Sequence, residues 1–456
     1  MKTILFLVFA FLTSCSMNAQ DITGQWNGIL NVKGKQLRVV FHINKTDTGY
    51  SSTMDSPDQG AKGIPTTSTY FDNSTLKIAA PNLGLKYDGT LGHDSIIGTF
   101  KQGGQSFPLN LSKEKIEKTT VIRPQEPVKP YPYYSEDVTF KNNKADVTLS
   151  GTLTLPQKQG IYPAVILITG SGPQNRDYEL MNHKPFLIIS DYLTRNGIAV
   201  LRYDDRGVAQ STGDFKTATT ADFATDVESA ISYLKTRKEI NAKKIGLIGH
   251  SEGGIIAPMV ATKSKDIDFI VLLAAPGLSG DKLILLQKEK IEQEKHIDEK
   301  EISKGQKIFS GAYRIILESD TGDTNLKNKL NIYFKQSFDN KLPEEQANAI
   351  TNQISTPWMI YFLKYNPVPT LEKVKCPVLA IDGEKDLQVP PENLIAIKTA
   401  LEKGGNKNVT TKLFPNLNHL FQDCNTGLPS EYSEIEETFS PAALDEITNW
   451  IKKQVD

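Results

Sequence analysis

Residues 243–254 read KKIGLIGHSEGG. A short apolar run, IGLIG, leads straight into Gly249-His250-Ser251-Glu252-Gly253 and then into Gly254-Ile-Ile-Ala-Pro-Met-Val-Ala. An apolar strand, a Gly-x-Ser-x-Gly turn and a helix start in that order predict a nucleophile elbow with Ser251 at its apex. The two flanking glycines permit a backbone approach that a side chain would block. The turn aims the Ser251 hydroxyl into a cleft, with the positive end of the following helix behind it. Five residues of this pattern alone carry little weight; the strand before them and the helix after them carry the prediction.

The chain has 456 residues, more than one ordinary core accommodates, so two or three domains are expected. Its 52 basic and 53 acidic residues nearly balance, and no basic stripe points to nucleic acid. With 39% hydrophobic and 23% charged residues, the composition is that of a soluble globular protein. Three cysteines exclude a disulfide framework, and the six scattered histidines, with no C-x-x-C or H-E-x-x-H, give no metal site. No cofactor is expected.

Residues 1–20 read as an export signal. The apolar run from Ile4 to Leu12 is too short to span a bilayer and suits a signal-peptide core. Leu12-Thr13-Ser14-Cys15 resembles a bacterial lipobox, which implies cleavage before Cys15 and a lipid on its sulfur. Cleavage after Met17-Asn18-Ala19 is the alternative and would release a periplasmic or secreted protein. On the first reading the protein sits in the bacterial cell envelope and meets the membrane only through that anchor.

Residues 21–113 read as a small all-β domain. Leu37–Ile43, Thr75–Ala79 and Ser95–Phe100 are short, part-alternating runs between Gly and Asn/Asp turn signals. Trp26 is expected to seat in a small barrel or sandwich, and His42 and His93 to be ordinary strand and turn residues. A linker over 114–134 follows, with the stretch RPQEPVKPYPYY from Arg123, and is expected to be a stiff spacer. From Ser135 to the C-terminus strand and helix alternate. Apolar strands at Ala164–Ile168, Ile198–Leu201, Ile245–Ile248, Phe269–Leu273 and Val378–Ile381 predict an α/β fold, a mostly parallel sheet covered on both faces. The Lys/Glu/Ile-rich interruption before Val378 predicts a helical cap over about 279–368, roofing the strand ends.

A serine hydroxyl needs a base to take its proton. His419, in Asn416-Leu-Asn-His419-Leu-Phe after the last strand Val409–Phe414, is the expected base, because the base comes late when the order is Ser, acid, His. His250 adjoins Ser251, but neighbouring side chains in an elbow point apart. The orienting acid should leave the strand end at Asp382-Gly-Glu384-Lys-Asp386. Asp386 is preferred, since Asp382 still lies on the strand and reads as a buried structural residue. The oxyanion donors expected are the backbone N–H of Glu252 and, from the loop Thr169-Gly170-Ser171-Gly172-Pro173, that of Ser171, with Gly172 next. Arg202-Tyr-Asp-Asp-Arg206 and Asn175-Arg176-Asp177 are expected to form ion pairs bracing these loops.

At these residues the chain resembles the α/β-hydrolase superfamily from about Ser135 to its end, and more narrowly two-domain bacterial serine esterases with a small N-terminal β domain. The strings carrying the resemblance are RPQEPVKPYPYY, TGSGPQNRD (169–177), LRYDDRGVAQSTG (201–213), GHSEGG (249–254), DGEKD (382–386) and NHLF (418–421). The resemblance implies a Ser251–Asp386–His419 triad and a carboxylesterase acting on short acyl chains. Chains of this kind are also described as serine aminopeptidase-like, a label for the fold. Thr169 stands where many relatives carry His. The reading is an exported serine hydrolase acting on a small-molecule ester through an acyl-enzyme. An exopeptidase, which would need carboxylates for the substrate's amine, is the alternative, and a non-catalytic envelope binding protein is a more distant one.

Overall fold

The computed structural model describes residues 21–455 except 33–34, 60, 103, 118–122 and 321. The export signal with Cys15 therefore lies outside the described residues. The chain divides into two compact units, Met1–Thr120 and Val121–Asp456.

In the first unit, antiparallel strands close into a barrel. Gly24–Val32, Lys35–Thr46, Gly49–Ser56, Ser68–Asp72, Thr75–Ala80, Leu85–Leu91 and Ser95–Gln102 pair in sequence. Leu111–Ser112 then pairs with both the first and the last of them, so the ring of eight has no open edge. Alternation puts Trp26, Phe41, Leu76, Ile78, Tyr87, Ile96 and Phe100 inside. The expected seat for Trp26 is the barrel core, where its indole N–H donates to the Ile22 carbonyl at 2.8 Å. His42 is a strand residue beside Asp55, 2.9 Å away.

The second unit contains an eight-stranded sheet. In chain order its strands are β1 (Tyr134–Asn142), β2 (Val147–Leu155), β3 (Tyr162–Ile168), β4 (Ala199–Tyr203), β5 (Ile240–His250), β6 (Ile267–Leu273), β7 (Val378–Gly383) and β8 (Val409–Phe414). Their spatial order is 1-2-4-3-5-6-7-8; β2 pairs antiparallel with both β1 and β4, and the remaining pairings are parallel. The continuous apolar runs of β3 to β7 follow from burial on both faces: α2 (Thr220–Lys235), α3 (Gly253–Ala261) and α10 (Glu392–Lys403) cover one core, and α1 (Pro185–Arg195) and α11 (Pro441–Val455) the other. Between β6 and β7 lie α4 (Gly280–Glu294), α5 (Glu299–Glu318), α6 (Leu326–Ser337), α7 (Glu344–Ile354), α8 (Pro357–Lys364) and the short α9 (Val368–Leu371). The cap helices share a separate core of Ile308, Tyr313, Ile316, Leu330, Phe334 and Leu363.

One expected element behaves differently. The start of the proline-rich stretch is docked, not a free spacer. Arg123 donates to the carbonyls of Asn182, Ser433 and Ile435 at 3.3, 2.9 and 2.6 Å. Gln125 donates to the Phe439 carbonyl at 2.7 Å and accepts from the N–H groups of Thr438 and Phe439. Proline content encodes stiffness, but not where a stiff segment finds donors and acceptors.

Candidate active site

β5 ends at His250, and Ser251 follows with φ of +53°, a left-handed backbone that only a strongly held turn imposes on a non-glycine residue. Its N–H donates to the Leu273 carbonyl at 2.9 Å, hanging the turn on β6. A Cβ on Gly249 would lie 2.0 Å from the Gly253 carbonyl oxygen, and one on Gly253 would lie 2.3 Å from that of Ile168. Both glycines are needed for the strand, turn and helix to pass this closely. α3 begins at Gly253, so the N–H groups around Glu252 belong to a first turn without intrahelical partners.

His419 lies in the loop after β8 and Asp386 in the loop after β7. His419 Nδ1 and Asp386 Oδ2 are 2.7 Å apart, and both side chains are buried. The other Asp386 oxygen accepts the N–H groups of Gln388 and Val389 at 2.7 and 2.8 Å, so the carboxylate is held on both sides. With Asp386 accepting at Nδ1–H, the His419 Nε2 lone pair is left to take a proton. Asp382 has one oxygen on the Gly383 N–H at 2.8 Å, and its Oδ2 finds no partner. Burial, then the adjacent Asp386 charge, pushes the Asp382 carboxyl well above the usual range, favouring its protonated form.

Ser251 and His419 line one cavity of about 240 Å³. Ser171 and Glu252 line it too, so all five expected residues of the second unit, Asp386 included through His419, meet at one place. The loop after β3 packs against the elbow at Gly170, where a Cβ would stand 3.0 Å from that of Ser251. Thr169 ties this loop down: its hydroxyl donates to Asp205 Oδ1 at 2.8 Å, while Asp205 Oδ2 accepts the Gln174 N–H at 3.0 Å. Burial pushes the Asp205 carboxyl up to about 8. The expected bracing pairs join the two conspicuous segments to each other. Arg176 meets Asp204 at 2.7 Å and Arg202 meets Asp177 at 3.3 Å, while Arg206 turns to Asp226 at 2.8 Å.

Two residues had no assigned part in the sequence reading. His250 does point away from Ser251, but not idly. Its Nδ1 lies 3.1 Å from the Tyr178 hydroxyl and its Nε2 2.8 Å from the His419 carbonyl. Burial, then His419, pushes the imidazole down to about 3, so it is neutral and bridges the oxyanion-side loop to the backbone of the base. Trp358 of α8 forms part of the cavity wall. A tryptophan in an amphipathic cap helix carries no local signal of which cavity it faces; in His250, adjacency to Ser251 was the signal, read only as far as direction.

A family model described as "Serine aminopeptidase, S33" matches residues 186–423. The esterase EstD of Thermotoga maritima is 26% identical over 327 residues, 71% of this chain and 70% of its own length. An uncharacterized 31.7 kDa protein of Escherichia coli is 26% identical over 46% of this chain and 70% of its own. Among solved structures, the Pyrococcus furiosus esterase Pf2001 is similar with a TM-score of 0.44 and 18% identity, over 74% of this chain and 99% of its own.

Proposed function

This chain belongs to the serine aminopeptidase S33 family of α/β hydrolases, and we propose that it is an exported serine esterase that cleaves short-chain acyl esters of small molecules. The observation that carries the reading is the buried 2.7 Å His419–Asp386 pair opening, with Ser251 on its strained turn, onto one largely apolar cavity. The name of the Thermotoga maritima relative points the same way.

In the proposed reaction His419 Nε2 takes the Ser251 proton as Oγ bonds to the ester carbonyl carbon. The carbonyl oxygen becomes an oxyanion, for which the N–H groups of Glu252 and Ser171 are the proposed donors. The carbon–oxygen bond to the leaving alcohol breaks as His419 returns the proton to it. Water then adds to the acyl-Ser251 ester, giving its proton to His419, and the acid leaves as Oγ is reprotonated. Asp386 keeps the imidazole in the working tautomer throughout.

The cavity lining favours an ester over an aminoacyl substrate. It contains no Lys, Arg or Asp, and Glu252 is the one carboxylate. An exopeptidase must hold an ammonium group, and Glu252 already accepts from Thr220 and Trp358. Export rests on residues 4–15, with Cys15 as the proposed lipid attachment.

Hydrolysis of p-nitrophenyl esters from acetate to octanoate, beside one aminoacyl-anilide, tests the reading. Ester turnover should dominate, fall with chain length, stop on labelling by a serine-directed phosphonate, and vanish in Ser251→Ala. Unchanged turnover in that variant would exclude Ser251 as nucleophile. Labelled palmitate incorporated by the wild type and not by Cys15→Ala would establish the anchor.

A further inference from the structure

The residue that follows the proposed nucleophile reaches into the cap. Glu252 is 3% exposed, and its Oε1 accepts two hydrogen bonds: from the Thr220 hydroxyl at the start of α2, 2.7 Å away, and from the indole N–H of Trp358 on α8, 2.8 Å away. Trp358 stacks on Phe362, one turn further along α8, with ring centroids 5.2 Å apart. Both rings line the Ser251 cavity together with Leu283 and Ile284 of α4. The Thr356 side chain caps α8 by accepting the Met359 N–H at 3.1 Å, which fixes the helix end that carries Trp358.

A buried carboxylate is tolerated only when donors satisfy it, and losing either donor leaves it exposed to the full desolvation penalty. The reverse also holds: without its acceptor the indole loses the bond that orients its ring and keeps only the stacking on Phe362. The ring is thus pinned on the wall of the cavity that Ser251 also lines.

We propose that Trp358 is the wall that sets acyl-chain length, and that Glu252 is a positioning residue that holds its ring there. This rests on the esterase reading. Removing the ring opens a path onto the apolar surface of Leu283, Ile284 and Phe362, and longer chains gain from burying methylenes there.

The test uses the full chain and kcat/KM for p-nitrophenyl acetate and octanoate. The octanoate-to-acetate ratio should rise at least about tenfold in Trp358→Ala. Glu252→Gln, whose amide oxygen still accepts the indole, should keep the ratio of the wild type. Glu252→Leu should shift it in the direction of Trp358→Ala. An unchanged ratio in Trp358→Ala, or a uniform loss on both esters in Glu252→Leu, would overturn the proposal. A second readout needs no substrate. Among the three tryptophans, the indole ¹⁵N–H resonance missing in Trp358→Phe identifies Trp358. It should move in Glu252→Leu and hold in Glu252→Gln, and indifference to Glu252→Leu would overturn the latch even in an active esterase. A wild type that cleaves no ester would instead sink the esterase reading, and the indole signal would still decide the latch.

Discussion

The two units bury very different things. Among the described residues of the barrel the buried polar side chains are Asn27, Ser52 and Ser56, all neutral. The hydrolase unit buries Arg202, Asp204, Asp205, Arg206, Asp226, Glu252, Asp382 and Asp386, with His183, His250 and His419. Each buried charge costs several kcal/mol unless it is partnered, so a fold keeps such groups only where something else requires them. Seven of these eleven lie on the loops after β3, β4, β5, β7 and β8, and Arg202, His250 and Asp382 stand in the last two residues of their strands, at the C-terminal strand ends where parallel sheets present their sites. The barrel is held by apolar packing, and the hydrolase unit carries its chemistry on a polar scaffold with little redundancy.

The sharpest break in that comparison is Asp386→Asn. It should lower kcat for ester hydrolysis by about 10⁴-fold, since the amide no longer enforces the His419 tautomer. His42→Ala, which removes the barrel's His42–Asp55 pair, should leave kcat within about twofold. Equal losses in the two variants, measured with p-nitrophenyl acetate, would contradict the division.

The docked strap comes next. Arg123→Ala removes three hydrogen bonds from a charged donor to backbone carbonyls, two on the loop that runs on from His419 and one at Asn182 in the loop after β3. The hydrolase unit should lose about 3 kcal/mol in urea unfolding, and hydrogen exchange over 430–440 should accelerate while barrel amides at 39–41 stay unchanged.

A smaller effect separates the units by pH. His183 is buried between Thr438 and the Tyr432 carbonyl, and burial, then Arg123, pushes it down to about 4. The unfolded chain binds this proton near pH 6.5, so it binds more protons than the folded chain below that pH. Stability from this group is full above pH 6.5 and declines as pH falls towards 4, by about 2 kcal/mol at pH 5. In the barrel, Asp55 is shifted in the same direction but titrates in a lower pH window. Burial raises it, but the Gly63 N–H and His42 outweigh this and hold it below its ordinary value. Its contribution is present above pH 3.8 and lost only below. Urea midpoints followed between pH 7 and 5 should therefore fall for the hydrolase unit as far as His183 is concerned and, as far as Asp55 is concerned, stay level for the barrel, so the His183 part is read as the difference between wild type and a His183 variant. His183→Asn should flatten the hydrolase slope.

The same contrast governs what the sequence reveals. The apolar strands, the elbow at Ser251 and the order Ser251, Asp386, His419 are local patterns, each contained in a run of a few residues, and the structure brings these three to one place. The preference for Asp386 over Asp382 followed from where a strand ends, which a short apolar run marks well. The strap at Arg123, the bridge at His250 and the wall at Trp358 are contacts between segments far apart in the chain. Arg123 meets a carbonyl 312 positions away, and Trp358 meets Glu252 across 106. No period or motif encodes such pairings; they exist only once the sheet order has brought the loops together.

Tyr178→Phe probes the smallest of these long-range effects. The hydroxyl faces His250 Nδ1 at 3.1 Å and occupies the space a Gly170 Cβ would enter, 2.3 Å away. While Tyr178 donates to Nδ1, the His250 proton must sit on Nε2, where it donates to the His419 carbonyl. Without the hydroxyl, Nδ1 has no donor, the tautomer is no longer fixed, and the backbone carrying the proposed base loses a constraint. The loss should be about tenfold in kcat with KM little changed, because the substrate-lining surface keeps its shape and only the placement of His419 relaxes. Tyr178 also lines the cavity, so a rise in KM at constant kcat would assign its hydroxyl to substrate contact instead. No change in either would leave His250 as packing, and the hydrolase unit's polar scaffold as less tightly coupled to its chemistry than its burial implies.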